Sequence, residues 1–214
     1  MRRIVGTTNH WWMLARVSVM LAPRRTLWSS PPEVVAAGLA ALNLGDTDML
    51  ADFGCGTAGA LISAAQHWSV PRAVGYEIDA ERAEEARAAV AAAGLSDRVH
   101  IVCGNALEVE PEDAITAVYS YLTERGLRLM LPVFRKLAAR LPSRTLRVVT
   151  ILYRIPGVAP VHTSRMTLLH RPECMYPIAL YHITPEAEAC ACEPSGDARS
   201  SDGAVSAVSA VSAE

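Results

Sequence analysis

The sequence predicts an α/β fold in which a mostly parallel sheet carries helices on both faces and ends in an antiparallel hairpin. Short apolar stretches typical of strands alternate with helical patterns from residue 32 to residue 153. The first strand pattern runs directly into a glycine turn and a helix, around residues 52–59. After residue 157 only a short loop separates the preceding strand from two further strand patterns, which leaves no room for a crossover helix.

Composition narrows the class of protein. The chain has 214 residues, of which 51% are apolar, and this is enough for one domain with a well-buried core. The net charge of −2 gives no overall reason to expect a nucleic-acid partner. The five cysteines lack the spacing of a zinc site and the pairing of a secreted framework, which indicates a reducing compartment. The six histidines are scattered, and no metal site is predicted.

The two ends of the chain differ from its middle. Residues 1–27 contain five arginines, and the first acid in the chain is Glu33. Their apolar run is shorter than the roughly 20 residues that a membrane-spanning helix needs. An arginine-rich, acid-free segment is typical of mitochondrial targeting and could contact a membrane surface peripherally. The alternative is a helix packed on the domain of a cytoplasmic protein. Residues 28–184 form the predicted domain, and residues 185–214, with Ala-Val-Ser repeats, are predicted to be disordered.

The elements of the first half follow in a regular order. A helix is predicted over Pro32–Leu42, with Ser30 as its N-cap and Pro31 at its first position. Gly94 is predicted to end the helix near 80–93, because a residue without Cβ adopts positive φ easily. The remaining patterns are strands near 48–53, 73–76 and 99–103, and helices near 58–68 and 80–93.

The second half contains four strand patterns and a long helix. Strands are predicted over 115–122 and 144–153, and a helix lies between them over 122–141. Pro132 must kink that helix or begin a second one. The last two strands are predicted over 166–170 and 178–183, with a turn over Pro172–Pro177 between them. All of these boundaries follow from apolar spacing and from turn residues.

The glycine turn after the first strand predicts a ligand site. Gly54 and Gly56 let the backbone turn tightly and lie against a ligand, and the next helix presents its first amides to it. Two ligands compete, because Gly54-x-Gly56-x-x-Gly59 also fits a dinucleotide fingerprint, and a turn without a ligand would look similar. Asp52 would repel a pyrophosphate but would attract the ammonium of a methionyl group. The sequence therefore favours S-adenosylmethionine over a nicotinamide cofactor.

Three motifs in order resemble those of the class I S-adenosylmethionine-dependent methyltransferases, a Rossmann-like family. Asp52-Phe53-Gly54-Cys55-Gly56 resembles its cofactor loop, Gly75–Asp79 resembles its second motif and Val99–Ala106 its third. The resemblance implies that Glu77 accepts both ribose hydroxyls and that Asn105 reaches the adenine amino group, although the family more often has Asp there. It also implies cofactor contacts from residues adjacent to these, namely Cys55, Ile78 and Ala106.

Weaker features resemble one branch of that family, the non-SET protein-lysine methyltransferases, over residues 28–184. The segment Trp28-Ser29-Ser30-Pro31 resembles an element that closes over the cofactor in this branch, which makes Ser30 a cofactor-binding candidate. An Asn/Asp-Pro-Pro-aromatic motif, common in methylases of adenine and of glutamine amides, is absent after the fourth strand. The branch implies a protein partner that bears a lysine. The alternatives are a small-molecule methyltransferase and a cofactor-binding scaffold without activity.

Tyrosines at the predicted strand ends are the remaining candidates. Tyr119 is a predicted cofactor contact, with a buried core position as the alternative. Tyr121 is the predicted catalytic residue, with a core position again as the alternative. Trp28 and Tyr153 could complete an aromatic channel that desolvates a lysine ammonium and so lowers its pKa.

Overall fold

The computed structural model describes residues 29–112 and 114–185. Trp28, the predicted targeting segment and most of the predicted tail lie outside these ranges. The elements, in chain order, are α1 (Pro32–Leu42), β1 (Met49–Phe53), α2 (Gly59–His67), β2 (Arg72–Glu77), α3 (Ala80–Ala92), β3 (Val99–Cys103), β4 (Ala117–Ser120), α4 (Glu124–Arg140), β5 (Leu146–Ile151), β6 (His162–Leu168) and β7 (Arg171–Ile183).

One seven-stranded sheet has the order β3-β2-β1-β4-β5-β7-β6. The first five strands are parallel, β7 runs antiparallel to β5, and β6 pairs antiparallel with β7. This confirms the predicted mostly parallel sheet and its C-terminal antiparallel hairpin. The strand order reverses between β1 and β4, and in open α/β sheets ligands bind beyond the carboxyl ends of the strands at such a point.

Helices cover both faces of the sheet, as predicted. On one face, α1, α2 and α3 contribute Leu39, Leu61 and Val90 to an apolar cluster. On the other face, Leu127 and Phe134 of α4 pack into a second cluster. Each such side chain, when fully buried, stabilises the fold by roughly 1.5–3 kcal/mol. No helix of the described residues is both long enough and apolar enough to cross a membrane.

The α4 helix is continuous through Pro132, so neither a break nor a second helix interrupts it. Proline at this position removes the hydrogen bond to the carbonyl of Arg128, four residues earlier. Both residues are exposed. Water can therefore hydrogen-bond that carbonyl, which explains why the helix tolerates the proline.

Two local predictions were wrong. Pro31, not Ser30, is the N-cap of α1, and no side chain caps this helix. The segment Pro172–Pro177 is not a turn but part of β7, and the chain turns at residues 169–170 instead. Pro177 can lie in a strand because its carbonyl accepts the Leu152 amide just after β5 has ended. An N–H group at this position would point to the same side, where β5 has already ended. The lack of an N–H in proline therefore removes little of the hydrogen bonding between the strands.

Candidate active site

The glycine loop after β1 is held against the end of β2. The amides of Gly54 and Cys55 both donate to the carbonyl of Tyr76, at 2.7 and 3.1 Å. Gly54 has a φ of 91° and Gly56 a φ of 54°, and L side chains are strained in that region. The predicted role of these glycines in the turn is therefore confirmed. Ala58 precedes α2 with a φ of 64°, an unfavourable conformation for a residue with a Cβ.

The side chain of Cys55 points into the core rather than towards a ligand. A Cβ on Gly75 would lie 2.6 Å from Cys55 Sγ and 2.7 Å from Leu61 Cδ1, so these side chains fill the space that Gly75 leaves. Burial, with smaller effects from the Asp52 and Glu77 charges, raises the pKa of the Cys55 thiol. A protonated, buried thiol is a poor nucleophile. Cys55 can therefore offer a ligand its backbone only.

Asp52 is a buried carboxylate without a partner. It lies near the carboxyl end of β1 and is 6% exposed. Within residues 29–112 and 114–185, no group donates a hydrogen bond to it. Burial, and secondarily the nearby Glu77 charge, raise its pKa to about 8. A cation bound here would restore the ionised form, because an opposite charge favours it. The orphaned acid fits the ammonium group of S-adenosylmethionine.

Glu77, at the end of β2, is fixed by the loop that it faces. Its Oε2 accepts the Gly56 amide at 3.0 Å, and its Oε1 accepts the Asp79 amide at 3.0 Å. Arg82 Nε lies 3.5 Å from Oε1. Each carboxylate oxygen can accept about two hydrogen bonds, so capacity remains for two ribose hydroxyls. The side chain can therefore still accept hydrogen bonds from a ribose, and this contact stays a prediction.

The predicted adenine-side residues follow β2 and β3, whose ends are adjacent because Glu77 pairs with Cys103. Ile78 is 40% exposed beside this end, where an apolar side chain can cover a ring. Asn105 is engaged in its own turn, where Oδ1 accepts the Leu107 amide at 3.1 Å. Its Nδ2 donates to Glu108 Oε1 at 2.8 Å. Ala106 packs on the α4 side of the core. The adenine contact of Asn105 stays a prediction.

Tyr119 and Ser30 meet beside Asp52. Tyr119 pairs in register with Asp52 and is 2% exposed. Its phenol donates to Ser30 Oγ at 2.9 Å, which links β4 to the segment before α1. Burial raises the pKa of this phenol. A Cβ on Gly38 would lie 2.8 Å from Tyr119 Cε2, so the ring packs directly on α1. These contacts bring two predicted cofactor residues together.

Three tyrosines cluster at the carboxyl end of the sheet. Tyr121 follows β4, Tyr153 follows β5, and Tyr176 lies in β7 opposite Met166. Burial, and then the phenols of Tyr176 and Tyr153, raise the pKa of Tyr121. The structure thus brings the predicted pair Tyr121 and Tyr153 together. Tyr176 was missed, because residues 172–177 were interpreted as a turn and only the strand pairing reveals its position.

In the described part of the chain, no three His, Cys, Asp or Glu side chains are grouped to hold a metal ion. The side chains that gather beyond the parallel strands are instead two buried acids and a set of phenols. Such a site can bind an organic cation and a sugar, and it can desolvate a second group beside them.

Comparisons with known proteins agree with this arrangement. A family described as a methyltransferase domain matches residues 50–141. A protein-lysine N-methyltransferase of Saccharolobus islandicus is 35% identical over 131 residues, which are 61% of this chain and 78% of that protein. The crystal structure of an RNA methyltransferase from Salinibacter ruber, in complex with S-adenosyl-L-homocysteine, is similar with a TM-score of 0.64 and 28% identity. The match covers 75% of this chain and 95% of that one.

More distant structures share the fold alone. A geranyl diphosphate methyltransferase in complex with S-adenosylmethionine is 17% identical, with a TM-score of 0.56. The match covers 72% of this chain and 85% of that chain. Structures that resemble this chain therefore include proteins named for very different substrates.

Proposed function

The chain belongs to the class I S-adenosylmethionine-dependent methyltransferases, and we propose that the group it methylates is a lysine side chain of a protein. The Saccharolobus islandicus relative is named for this activity, and the match covers more than three quarters of it. The observation that carries the proposal is the tyrosine cluster formed by Tyr121, Tyr153 and Tyr176 at the end of the sheet.

The cofactor supplies a methyl group that is already activated by a positive sulfur. Asp52 would hold its ammonium and Glu77 its ribose, while the loop at Gly54 and Gly56 lets the backbone approach it. The protein must then orient the acceptor amine towards the methyl group and exclude water, which together account for much of the rate enhancement in such transfers.

A lysine acceptor adds one requirement, which the tyrosine cluster meets. Only the neutral amine is a nucleophile, and with a reference pKa of about 10.4 its deprotonation at pH 7 costs about 4–5 kcal/mol. Desolvation destabilises the ammonium and lowers this cost. Tyr121 is half-buried, and burial is the largest cause of its raised pKa, ahead of the charges of the Tyr176 and Tyr153 phenols. The same low-polarity surroundings would favour a neutral amine.

The proposal can be tested by transfer of a radiolabelled methyl group from S-adenosylmethionine to a cell lysate. We expect the label in a protein band that protease removes and ribonuclease does not, with methyl-lysine identified by mass spectrometry. The Asp52→Ala variant, which should lose cofactor affinity, is the control for background labelling. Label confined to RNA or to small molecules would contradict a protein substrate.

RNA is a second candidate acceptor, because the Salinibacter ruber structure is named an RNA methyltransferase and almost all of that chain is matched. A nucleobase nitrogen that carries no proton at neutral pH, such as adenine N1, needs no such deprotonation, so the rate with such an acceptor should depend little on pH near neutrality. The same labelling experiment separates the two acceptors, since ribonuclease would remove the signal.

A further inference from the structure

The chain makes a strained turn immediately after β5, at Leu152. Leu152 has a φ of 71°, a region in which a residue with a bulky side chain is a clear outlier. The Tyr153 amide donates to the Ile151 carbonyl, two residues earlier, at 2.8 Å. A positive φ enclosed by a hydrogen bond of this span defines the rare and strained form of the γ-turn. Such strain persists only where the surrounding structure holds it.

Further hydrogen bonds fix this turn to the sheet. The amide at its centre donates to the Pro177 carbonyl of β7 at 2.8 Å. The hydroxyl of Thr150, a fully buried residue of β5, donates to the Tyr153 carbonyl at 2.7 Å. The Ile155 amide donates to the phenol oxygen of Tyr181 at 3.1 Å. The backbone on both sides of Tyr153 is therefore held, although Tyr153 itself is partly exposed.

The turn carries the chain from one face of the sheet to the other. Ile151 and Leu152 both pack with the apolar cluster on the α1 face, although neighbouring residues of a regular strand point to opposite faces. Ile155, three residues later, is buried in the cluster on the α4 face. Tyr153 therefore lies where the backbone crosses the carboxyl edge of the sheet.

The hydroxyl of Thr150 bonds the turn rather than the neighbouring strand. Ser120, its register partner in β4, is equally buried. Within residues 29–112 and 114–185, the Ser120 hydroxyl has no hydrogen-bond partner. The other fully buried residues of β5 are aliphatic, namely Leu146, Val148, Val149 and Ile151. A valine would fill the position of Thr150 without a polar group to satisfy, so packing alone does not explain the threonine.

The crossing places Tyr153 in the tyrosine cluster. Burial, and then the phenols of Tyr176 and Tyr153, raise the pKa of Tyr121, so the Tyr153 phenol lies near that of Tyr121. We propose that Thr150 is a positioning residue, whose hydroxyl keeps the ring of Tyr153 in the acceptor site, where the ring shields the target lysine from water. This inference rests on the proposed lysine activity. Without the hydroxyl, the Tyr153 carbonyl can turn to water and the strained turn can relax.

The test measures methylation of a synthetic peptide copied from the lysine site that the labelling experiment identifies. Thr150→Val removes the hydroxyl at nearly constant volume, and kcat at pH 7 should fall about fivefold, the size expected for one hydrogen bond. KM and cofactor affinity should stay near wild type. The loss should shrink as the pH rises towards about 10, near the reference pKa of lysine. Thr150→Ser keeps a hydroxyl and should restore most of kcat.

Thr116→Val is the matched control, because Thr116 Oγ1 donates to Asp48 Oδ1 at 2.7 Å before β4 begins, at the opposite end of the sheet. This variant should lose stability but keep the wild-type kcat and its pH dependence. A Tyr153→Ala background tests whether Thr150 acts through Tyr153. Thr150→Val should lower kcat little further there, because the ring that it positions is already absent.

The outcomes separate this inference from the proposed function. Equal kcat in Thr150→Val and the wild type at every pH would overturn the positioning role while leaving the lysine activity intact. A loss that is as large in the Tyr153→Ala background as in the wild type would also overturn it, since Thr150 would then act by another route. Labelling of RNA without labelling of any lysine would overturn both.

Discussion

The phenol of Tyr119 donates a hydrogen bond to Ser30 Oγ at 2.9 Å, and this bond joins residues 89 positions apart in the chain. Tyr119 is also the register partner of Asp52, the orphaned acid of the cofactor site. The segment that leads into α1 is thus tied to the strand next to the proposed ammonium site. A substitution in this pair should affect both the stability of the fold and the closure of the cofactor site.

The first prediction is a double-mutant cycle on this hydrogen bond. Tyr119→Phe and Ser30→Ala should each lower the free energy of unfolding by about 1 kcal/mol, because that is the typical net contribution of one hydrogen bond to stability. The two effects should not add, since both variants lose the same bond. Urea denaturation measures the change. Tyr153→Phe removes the hydroxyl of a tyrosine that is 36% exposed, and as the control it should leave stability unchanged. Fully additive losses would show that the bond does not form in solution.

Cofactor affinity should depend on two acids at successive strand ends. Asp52→Ala and Glu77→Ala should each weaken S-adenosylmethionine binding by roughly tenfold or more. Hydrogen bonds between a carboxylate and the cofactor should contribute about 1.5–3 kcal/mol. Glu84→Ala is the matched control, because Glu84 is exposed on α3 and pairs with Arg87 on the same helix. Calorimetry measures all three affinities. Wild-type affinity in both site variants would refute the assignment of the cofactor site.

Asp52 should also make the cofactor-free protein less stable as the pH rises. Burial, and then the Glu77 charge, raise its pKa from 3.8 to about 8. Between these values the folded protein binds more protons than the unfolded chain, so the free energy of unfolding falls with rising pH. One group contributes up to about 1.4 kcal/mol per pH unit. The stability that Asp52 contributes is fully present below its pKa in the unfolded chain and is lost as the pH rises through its pKa in the folded protein. Asp52→Asn should reduce the slope measured by urea denaturation between pH 5 and pH 8.

Asp48 provides the control for that slope. Burial opposes its ionisation, but hydrogen bonds from Arg147, Thr116 and the Gly45 amide outweigh this effect and lower its pKa. Asp48 is therefore ionised in both states between pH 5 and pH 8. Asp48→Asn should lower stability by a constant amount and leave the slope at its wild-type value. An unchanged slope in Asp52→Asn would mean that another group titrates in this range.

The small residue at position 75 should be essential for the shape of the loop. Gly75→Ala would place a Cβ 2.6 Å from Cys55 Sγ, and overpacking of this kind costs about 1–3 kcal/mol. Gly59→Ala is the control, because no atom of the described residues lies within 4 Å of a Cβ at that position. Adding Cys55→Ala to Gly75→Ala should recover part of the loss in a thermal or urea denaturation. Equal stability of Gly75→Ala and Gly59→Ala would contradict the packing of Cys55.

Local patterns predicted the fold and the acids of the site, whereas contacts between distant residues could not be predicted. Asp52 and Glu77 follow directly from strands and turns that are visible in the sequence. Ser30 was misassigned as a cap because its partner, Tyr119, is brought to it only by the tertiary fold. Tyr176 was missed for a similar reason, since two prolines predicted a turn where pairing with β6 maintains a strand.

The last prediction concerns the tyrosine cluster and the protonation of the acceptor lysine. Tyr121→Ala should admit water beside the amine, raise the pKa of the bound lysine and so lower kcat strongly at pH 7, while cofactor affinity stays near wild type. Tyr121→Phe keeps the apolar ring and removes only the hydroxyl, so its loss should be much smaller. The rate of Tyr121→Ala should recover at higher pH, because a larger fraction of the substrate lysine is then neutral without help from the protein. The pH dependence of kcat for an identified lysine substrate measures this. A pH profile identical in the wild type and Tyr121→Ala would show that Tyr121 is a packing residue and that the lysine is desolvated elsewhere.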